Sequence, residues 1–495
     1  MKLKKLLEKI TYECISGSLD REVNAVVYDS RKVTENCVFI CIEGANFDGH
    51  KFASEVVKKG ATVLVVQKEV DEALKYDPDV TILKVENTRY AMAFISAAYF
   101  GHPAEQMKII GITGTKGKTT TTYMVKSILE NAGLKVGLIG TIEVIIGDTH
   151  IPANNTTPES YLLQEYFAQM VKDVCDCVVM EVSSQALMLH RTQGFEFDFG
   201  IFTNLEPDHI GPNEHESFED YMACKGLLFK QCKVGIVNSD DAHYRQVVEG
   251  HTCKLETYGL KTGADLLAWD LQLLKEEGTL GVNFKVSGLD EMEVYVATPG
   301  RFSVYNALTA IAICRHFKVS KEAVAKALRQ VKVKGRIEPV KVSEMIRVSD
   351  EFTLMIDYAH NAMALESLLH SLREYEPVRL VCLFGCGGNR SKLRRYEMGE
   401  VSGKLADLTI ITSDNPRFEE PLDIIEDIKI GMAKTEGKFV EIPDRKEAIR
   451  YAIEHGQPGD IIVLAGKGHE DYQEIKGVKY PMDERDLIAD ILAGK

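Results

Sequence analysis

Residues 108–133 read KIIGITGTKGKTTTTYMVKSILENAG, and this stretch predicts a strand, a loop and a helix in succession. The apolar run Ile109 to Ile112 predicts a buried strand, and a glycine-rich loop follows it. Apolar residues then recur on one face of a helix that ends near Gly133, namely Met124, Val125, Ile128 and Leu129. This order of strand, loop and helix is typical of a parallel sheet covered by helices.

The loop itself, GITGTKGKTT at 111–120, indicates phosphate binding. Glycines let backbone N–H groups approach phosphate oxygens, and the N-terminus of the following helix favours an anion. Lys118 is placed to reach terminal phosphates and Thr119 to ligate magnesium. The strict phosphate-loop pattern has glycine where this chain has Ile112, so a plain glycine turn before a helix is the alternative. We predict an ATP site formed by Gly114, Thr115, Lys116, Gly117, Lys118, Thr119 and Thr120.

Composition excludes several other classes of protein. The 495 residues carry 59 Lys+Arg against 74 Asp+Glu, a net charge of −15 that disfavours general nucleic-acid binding. The longest apolar stretch, around Ala91 to Phe100, is about half the roughly 20 residues that a membrane helix needs. Charged residues interrupt the first ten residues, so no signal peptide is expected there. We therefore expect a cytosolic, non-membrane protein whose eleven cysteines are reduced core thiols.

Changes of pattern along the chain predict three domains. Residues 1–107 alternate short strands with small helical segments, which predicts a mixed domain. Residues 108–335 continue the strand and helix alternation, with further strands at Cys177 to Val182, Gly200 to Asn204 and Val234 to Asn238. Residues 336–495 start a second series of that kind, with strands at Leu354 to Asp357, Leu380 to Phe384, Leu408 to Thr412 and Ile461 to Ala465. The predicted fold is α/β: a mixed N-terminal domain, a central parallel-sheet ATPase-like domain and a C-terminal Rossmann-like domain.

Four further residues of the central domain are candidates for a chemical role. Glu181 ends a buried strand and faces the phosphate loop, which suits a magnesium ligand, although a solvated or capping acid is the alternative. Asp208 and His209 follow the next strand, where a histidine is either a ligand or a loop hydrogen-bonder. Lys225 by itself predicts only a solvated helix lysine.

The loops after the C-terminal strands hold two arginines and several acids. Guanidinium groups pair with carboxylates, and Glu470 or Asp414 can accept an ammonium group, so these loops predict a pocket for a zwitterion. Surface ion pairs around a proline turn are the alternative. The predicted pocket residues are Arg390, Asp414, Asn415, Pro416, Arg417, Gly466 and Glu470.

Ten motifs in order give the chain a close resemblance to the Mur ligases. They are GTKGKTT (114–120), NTTPES (155–160), MEVSS (180–184), TNLEPDH (203–209), Lys225, KGRIE (334–338), DYAHN (357–361), FGCGGNR (384–390), SDNPR (413–417) and AGKGHED (465–471). The order looks like that of the branch that adds the third residue of the peptidoglycan stem peptide. The resemblance covers essentially the whole chain, and it implies an N-terminal domain for the UDP end of the substrate, a central ATP-binding domain and a C-terminal domain with the amino-acid pocket.

The resemblance also implies roles for individual residues. Lys118, Lys225 in carbamylated form and His209 would be catalytic, and Thr119, Glu181, His209 and Lys225 would hold magnesium. ATP would also contact Asn306, Arg336 and Asp357. The muramoyl peptide and its UDP would contact Ser30, Asn46, Asn155, Thr156, Thr157, Ser183 and Arg191.

The chemistry implied by the resemblance is amide ligation. The γ-phosphate of ATP activates a carboxylate as an acyl phosphate, which the incoming amine attacks. The motif Asp-Asn-Pro-Arg resembles that of relatives selecting meso-diaminopimelate, whose distal carboxylate would meet Arg417. Small-molecule substrates and a monomer are expected.

Other interpretations remain open from the sequence. The chain departs from the family at Ile210 to Ser217, which reads IGPNEHES, and at Asn389 and Ser391 beside Arg390. A paralogue that adds lysine or another amino acid is therefore an alternative, as is a folylpolyglutamate-type synthetase. From a different class come a phosphate-loop NTPase switch and a non-catalytic relative.

Overall fold

The structure, a computed structural model, describes residues 1–44, 47–208, 210–211, 214–276, 279–288, 291–340 and 352–494. The chain forms two compact units. The first contains residues 1–265 and 309–319, and the second contains residues 266–308 and 320–495. Each unit is built on its own hydrophobic cores.

The first unit begins with a five-stranded sheet. Its strands are β1 (Glu13–Ser16), β2 (Ala25–Val27), β3 (Cys37–Ile40), β4 (Ala61–Val66) and β5 (Thr81–Lys84), and its helices are α1 (Leu3–Leu6), α2 (Ala53–Lys58) and α3 (Thr88–Tyr99). The strand order is β1-β5-β4-β3-β2, with β1 antiparallel and the other neighbours parallel. The sheet therefore contains both parallel and antiparallel strands, and the domain alternates strands with helices as the sequence predicted.

A larger sheet follows in the same unit. Its strands are β6 (Lys108–Thr113), β7 (Val136–Ile139), β8 (Glu143–Ile146), β9 (Thr149–Pro152), β10 (Cys177–Glu181), β11 (Phe197–Phe202), β12 (Cys232–Asn238) and β13 (Lys254–Gly259). Strands β13, β12, β11, β6, β10 and β7 pair in parallel in that order, and the antiparallel β8 and β9 complete the β7 edge. The linking helices are α4 (Lys118–Asn131), α5 (Ser160–Lys172), α6 (Ser184–Met188), α7 (Phe218–Gly226) and α8 (Tyr244–Val247).

The second unit has an antiparallel ribbon and a mostly parallel sheet. The ribbon contains β14 (Leu266–Glu276), β15 (Thr279–Gly288) and β16 (Met292–Val296), and α10 (Lys321–Gln330) also lies in this unit. Helix α9 (Arg301–Cys314) contributes residues 301–308 to the second unit and residues 309–314 to the first. The sheet strands are β17 (Glu338–Val340), β18 (Thr353–Asp357), β19 (Leu380–Phe384), β20 (Leu408–Ile411), β21 (Phe439–Glu441) and β22 (Ile461–Ala465), in the order β17-β18-β22-β19-β20-β21. A hairpin of β23 (Tyr472–Ile475) and β24 (Val478–Pro481) follows, and the helices are α11 (Ala362–Arg373), α12 (Lys392–Leu405), α13 (Pro421–Met432), α14 (Arg445–Glu454) and α15 (Glu484–Leu492).

The predicted strands are present, and one of them has shifted boundaries. The strand predicted from Gly200 to Asn204 spans Phe197–Phe202. It begins earlier because Phe197 and Phe199 are buried, and it ends earlier because the Asn204 side chain accepts a hydrogen bond from the Lys116 N–H of the phosphate loop. No helix among the described residues is long and apolar enough to cross a membrane. All eleven cysteines lie in the described part of the chain as free thiols, and only Cys14 is exposed.

Candidate functional site

The phosphate loop connects β6 to α4 in a conformation that its glycines permit. Gly117 has φ +84° and Gly114 has φ +148°. A Cβ atom at Gly114 would lie 1.9 Å from the Thr203 hydroxyl, so only glycine fits there. The Lys118 Nζ donates hydrogen bonds to the Gly114 and Thr115 carbonyl oxygens, at 2.8 and 3.1 Å. The loop thus holds its lysine above its own backbone, at the N-terminus of α4.

Glu181 ends β10 beside this loop, as the sequence predicted. Its side chain is 1% exposed, and its Oε2 accepts a hydrogen bond of 3.0 Å from the Thr119 hydroxyl. Oε1 accepts 2.8 Å from the backbone N–H of Thr141, a partner that the sequence did not indicate. A buried carboxylate needs such partners. The solvated-acid alternative for Glu181 is therefore wrong.

Lys225 is also buried, at 1% exposure, on the inner face of α7. Its Nζ donates to the Gly114 carbonyl oxygen at 3.0 Å and lies 4.3 Å from the ring centre of Tyr221. Burial, and then repulsion from Lys118, lower the pKa of the Lys225 ammonium well below its usual value. The solvated helix lysine expected from local sequence alone is wrong, because tertiary packing buries this face of α7.

Several predicted substrate residues surround one cavity of about 190 Å³ in the first unit. The Thr157 hydroxyl donates to the Glu181 carbonyl oxygen at 2.9 Å and accepts from the Ser183 N–H at 3.0 Å. Arg191 donates to the Thr157 carbonyl oxygen at 3.1 Å. The predicted residues that line the cavity are Lys118, Asn155, Thr156, Thr157, Ser183, Arg191 and Lys225.

The same cavity is lined by residues that sequence reasoning missed. Ser184 and His215 face it, and a hydrogen bond of 2.8 Å joins Ser184 Oγ to His215 Nε2. His215 lies in the IGPNEHES segment, whose departure from the family pattern was the available signal. Among the remaining predictions, Ser30 lies in the turn after β2, whereas His209 and Asn46 lie outside the described residues.

Three of the residues predicted to contact ATP lie in the second unit. Asp357 ends β18, and its two carboxylate oxygens accept hydrogen bonds of 2.8 Å from the N–H groups of Ile337 and Ala359. Burial raises the pKa of Asp357, although Arg336 opposes that rise. The Arg336 guanidinium lies 4.8 Å from the ring centre of Tyr358. Asn306 is buried in the middle of α9.

The predicted amino-acid loops form a polar network around a buried lysine that the sequence did not single out. Lys467 is 0% exposed, and its Nζ donates to Asn415 Oδ1 at 2.9 Å and Glu470 Oε2 at 2.8 Å. Asn415 in turn donates to Glu470 Oε2 at 2.9 Å. Gly466 packs beside Asp414, since a Cβ there would lie 3.0 Å from the Asp414 carboxylate. Four predicted residues therefore share one cluster.

The predicted selectivity residue Arg417 has a partner of its own. Its Nε donates to Glu474 Oε2 at 3.1 Å, and a terminal nitrogen donates to the Gly388 carbonyl oxygen at 2.8 Å. Pro416 is buried, with its carbonyl against Gly388, and Arg390 is exposed beyond β19. A ligand carboxylate at Arg417 would thus share the guanidinium with Glu474.

Comparison with known proteins identifies the family. The descriptions "Mur ligase family, catalytic domain", "Mur ligase middle domain" and "Mur ligase, glutamate ligase domain" match residues 22–100, 112–314 and 335–468. A relative from Caldanaerobacter subterraneus subsp. tengcongensis, UDP-N-acetylmuramoyl-L-alanyl-D-glutamate--2,6-diaminopimelate ligase, is 43% identical over 495 residues, covering 100% of this chain and 99% of its own. The chain belongs to the Mur ligase family.

Two further comparisons agree with membership of the Mur ligase family. The "ligase 1" of the same enzyme name from Clostridium acetobutylicum is 44% identical over 493 residues, with 99% of both chains covered. A solved structure of a UDP-N-acetylmuramoyl-L-alanyl-D-glutamate--2,6-diaminopimelate ligase is 27% identical, with a TM-score of 0.70 over 96% of this chain and 95% of that one. The three-domain α/β fold of Mur ligases is confirmed for this chain.

Proposed function

We propose that this Mur ligase joins meso-diaminopimelate to UDP-N-acetylmuramoyl-L-alanyl-D-glutamate, using ATP and magnesium. The observation that carries the chemistry is the convergence of Lys118, Glu181 and Lys225 at one edge of the central sheet. These three side chains contact the same loop through Thr119 and the Gly114 carbonyl oxygen. The choice of substrate rests on the full-length relatives that bear that enzyme name.

The residues around Glu181 fit a magnesium ion. Magnesium prefers hard oxygen ligands, and here a buried carboxylate and the Thr119 hydroxyl lie 3.0 Å apart beside a phosphate loop. Thr119, Glu181, His209 and a carbamylated Lys225 would hold the metal. A bound magnesium ion would neutralise phosphate charge during transfer.

The chain's own residues account for activation of the acceptor. Lys118 would hold the terminal phosphate, and Arg191, Thr157 and Ser183 would hold the acceptor so that its carboxylate faces that phosphate. Transfer of the γ-phosphate gives an acyl phosphate and ADP. The amine then attacks the acyl carbon, and inorganic phosphate leaves with the electrons of the C–O bond.

Lys225 is suited to carry a carbamate. A lysine reacts with carbon dioxide only as the neutral amine, and burial favours that form here. The product is an anion within the site. The nearby cation of Lys118 repels a Lys225 ammonium group but attracts a carbamate, so it stabilises the carbamylated form.

The amino-acid pocket is proposed in the C-terminal loops. Arg390, Asp414, Asn415, Pro416, Arg417, Gly466 and Glu470 would surround the zwitterion, with Arg417 at the distal carboxylate. Asn306, Arg336 and Asp357 would contact ATP. The boundaries at 107/108 and 335/336, the monomeric state and the cytosolic location stay predictions.

Release of ADP tests the function directly. Wild-type protein is supplied with ATP, magnesium, UDP-N-acetylmuramoyl-L-alanyl-D-glutamate and, separately, meso-diaminopimelate, L-lysine or L-ornithine. We expect ADP release with diaminopimelate to exceed that with the other two by about a hundredfold. Equal ADP release without the muramoyl dipeptide would instead favour a nucleotide switch.

A further inference from the structure

Three side chains beside the cavity form a continuous hydrogen-bonded chain. Ser184 Oγ lies 2.8 Å from His215 Nε2, and His215 Nδ1 lies 2.9 Å from Asp220 Oδ2. Ser184, the first residue of α6, is 4% exposed and His215 is 1% exposed, and both residues line the cavity. The chain thus runs from the cavity wall into the protein and ends at a partly exposed carboxylate on α7.

The direction of each hydrogen bond follows from the chemistry of the three groups. The hydrogen bond from His215 lowers the pKa of Asp220, so this carboxylate is ionised and only accepts. His215 Nδ1 must therefore carry a proton. In the neutral imidazole Nε2 is then an acceptor, and the Ser184 hydroxyl donates to it. Nε2 can therefore accept a proton, and the Ser184 hydroxyl connects this nitrogen to the cavity.

The proposed reaction needs a proton acceptor at this place. An amino acid arrives as an ammonium ion, which has no lone pair for attack on an acyl phosphate. The acyl phosphate would form beside Lys118, which lines the same cavity as Ser184 and His215. Lys118 cannot accept this proton while it is charged, and Glu181 is already paired with Thr119 and Thr141.

We propose that Ser184, His215 and Asp220 form a relay that removes the proton from the attacking amine, an inference that rests on the ligase function proposed above. The amine N–H bond breaks as its proton binds Ser184 Oγ, and the serine's own proton moves to His215 Nε2. The amine keeps the electron pair and forms the C–N bond. Phosphate then leaves with the electrons of the C–O bond and takes the second proton of the attacking nitrogen, so that a neutral amide and hydrogen phosphate result. Asp220 stabilises the imidazolium. Ser184 touches the substrate in this step, and His215 and Asp220 act through it.

The geometry distinguishes this relay from a metal site. The ligand atoms of His215, Asp220 and Cys224 lie within 4.8 Å of one another. Both ring nitrogens of His215 already have partners, however, because Nδ1 is hydrogen-bonded to Asp220 and Nε2 to Ser184. The Cys224 thiol likewise has a partner, since its Sγ donates to Asp220 Oδ1 at 3.6 Å.

The key variant is His215→Gln. Glutamine can still accept the hydrogen bond of Ser184 but does not take up a proton, so it separates proton transfer from positioning. We expect kcat for amide formation to fall about a hundredfold, with the KM of each substrate within about twofold of wild type. Ser184→Ala should cause a similar loss, and the double variant no further loss, because the two residues act in one relay.

The matched control is His316→Gln. His316 also pairs with an acid, Glu256 at 2.9 Å, but it lies on a short helical turn away from the cavity. This variant should keep wild-type kcat. Thermal unfolding of all variants shows whether each one is folded.

Hydroxylamine separates the relay from a purely structural role. Because it is unprotonated at neutral pH, it attacks an acyl phosphate without a base. We expect His215→Gln to form the hydroxamate at the wild-type rate while its amide formation is a hundredfold slower. Equal losses of both products, or more than half of the wild-type kcat for amide formation, would overturn the relay. A wild-type enzyme that makes neither product would overturn the proposed function and the relay with it.

Discussion

The two candidate regions, the phosphate-loop edge of the central sheet and the loops after the C-terminal strands, each bury a lysine but surround it differently. Lys225 donates to a backbone carbonyl oxygen of Gly114, with the Tyr221 ring below it. Lys467 donates to Asn415 and to the carboxylate of Glu470. The first environment opposes a positive charge, and the second supplies a compensating negative one.

This difference assigns different tasks to the two regions. A lysine whose pKa burial lowers, as at Lys225, is prepared to react as a neutral amine. A lysine paired with a carboxylate holds other side chains in place, and Lys467 does so for Asn415 and Glu470. We therefore propose that the central site carries out the chemistry and that the C-terminal site recognises the amino acid, and each prediction below tests one of these two roles.

The largest effect is expected from Lys118→Ala. Loss of the cation that holds the transferred phosphate should lower the ligation rate about a thousandfold while the protein stays folded. The measurement is ADP release with all substrates present. Lys135→Ala serves as the control, because that exposed lysine pairs with Asp173 on the surface. Retention of more than about a tenth of the rate by Lys118→Ala would show that Lys118 does not act on phosphate.

A carbamate should distinguish the two buried lysines. With ¹³C-labelled bicarbonate, we expect one carbamate resonance that disappears in Lys225→Ala and persists in Lys467→Met. Ligation should fall about a hundredfold in Lys225→Ala, because the site loses an anionic group. Lys467→Met should instead raise the KM of the amino acid, since Asn415 and Glu470 lose their common partner. A resonance that survives in Lys225→Ala would contradict the assignment.

The central site was the more predictable of the two from sequence, for a physical reason. A phosphate loop is made by contiguous residues, so Gly114, Gly117 and Lys118 are visible as a motif, and a strand end such as Glu181 follows from hydrophobic pattern. The partners of these residues come from tertiary contacts. Thr141, which donates to Glu181, is 40 residues away in the chain, and no local pattern marks it.

The C-terminal site shows the same limit more strongly. Asn415, Arg417 and Glu470 were predicted by type, but Lys467 and Glu474 were not, although they fix the orientation of the other three. An Asp-Asn-Pro-Arg motif indicates which side chains are present and leaves open what they contact. Substitution of Arg417 therefore tests whether its guanidinium binds a ligand carboxylate in addition to Glu474.

Arg417→Ala should change selectivity more than folding. We expect kcat/KM for diaminopimelate to fall roughly 30-fold or more, since a desolvated charge pair is worth about 2–5 kcal/mol on truncation. The value for lysine should fall far less, because lysine has no distal carboxylate.

Glu474→Gln is the matched variant. It keeps a hydrogen-bond acceptor for Arg417 but removes the competing charge, so the KM for diaminopimelate should fall a few-fold. Equal losses for all amino acids in Arg417→Ala would make the motif a structural turn.

The smallest expected effect concerns pH and His469, which follows Lys467 in the same C-terminal loop. Burial, together with the nearby cations Arg336, Lys334 and Arg485, lowers the pKa of His469 from 6.5 to about 4. Between those two values the unfolded chain binds more protons at this residue than the folded one, so His469 makes the protein less stable as pH falls from 6.5 to 4.

His469→Gln removes this proton uptake. Acidification from pH 6.5 to 4.5 should therefore cost the variant about 1–2 kcal/mol less than it costs wild type, or about 2–5 °C in the midpoint of thermal unfolding. If acidification lowered the free energy of unfolding equally in both proteins, the C-terminal loops would not hold His469 neutral. The surroundings of Lys467 would then not disfavour a second positive charge.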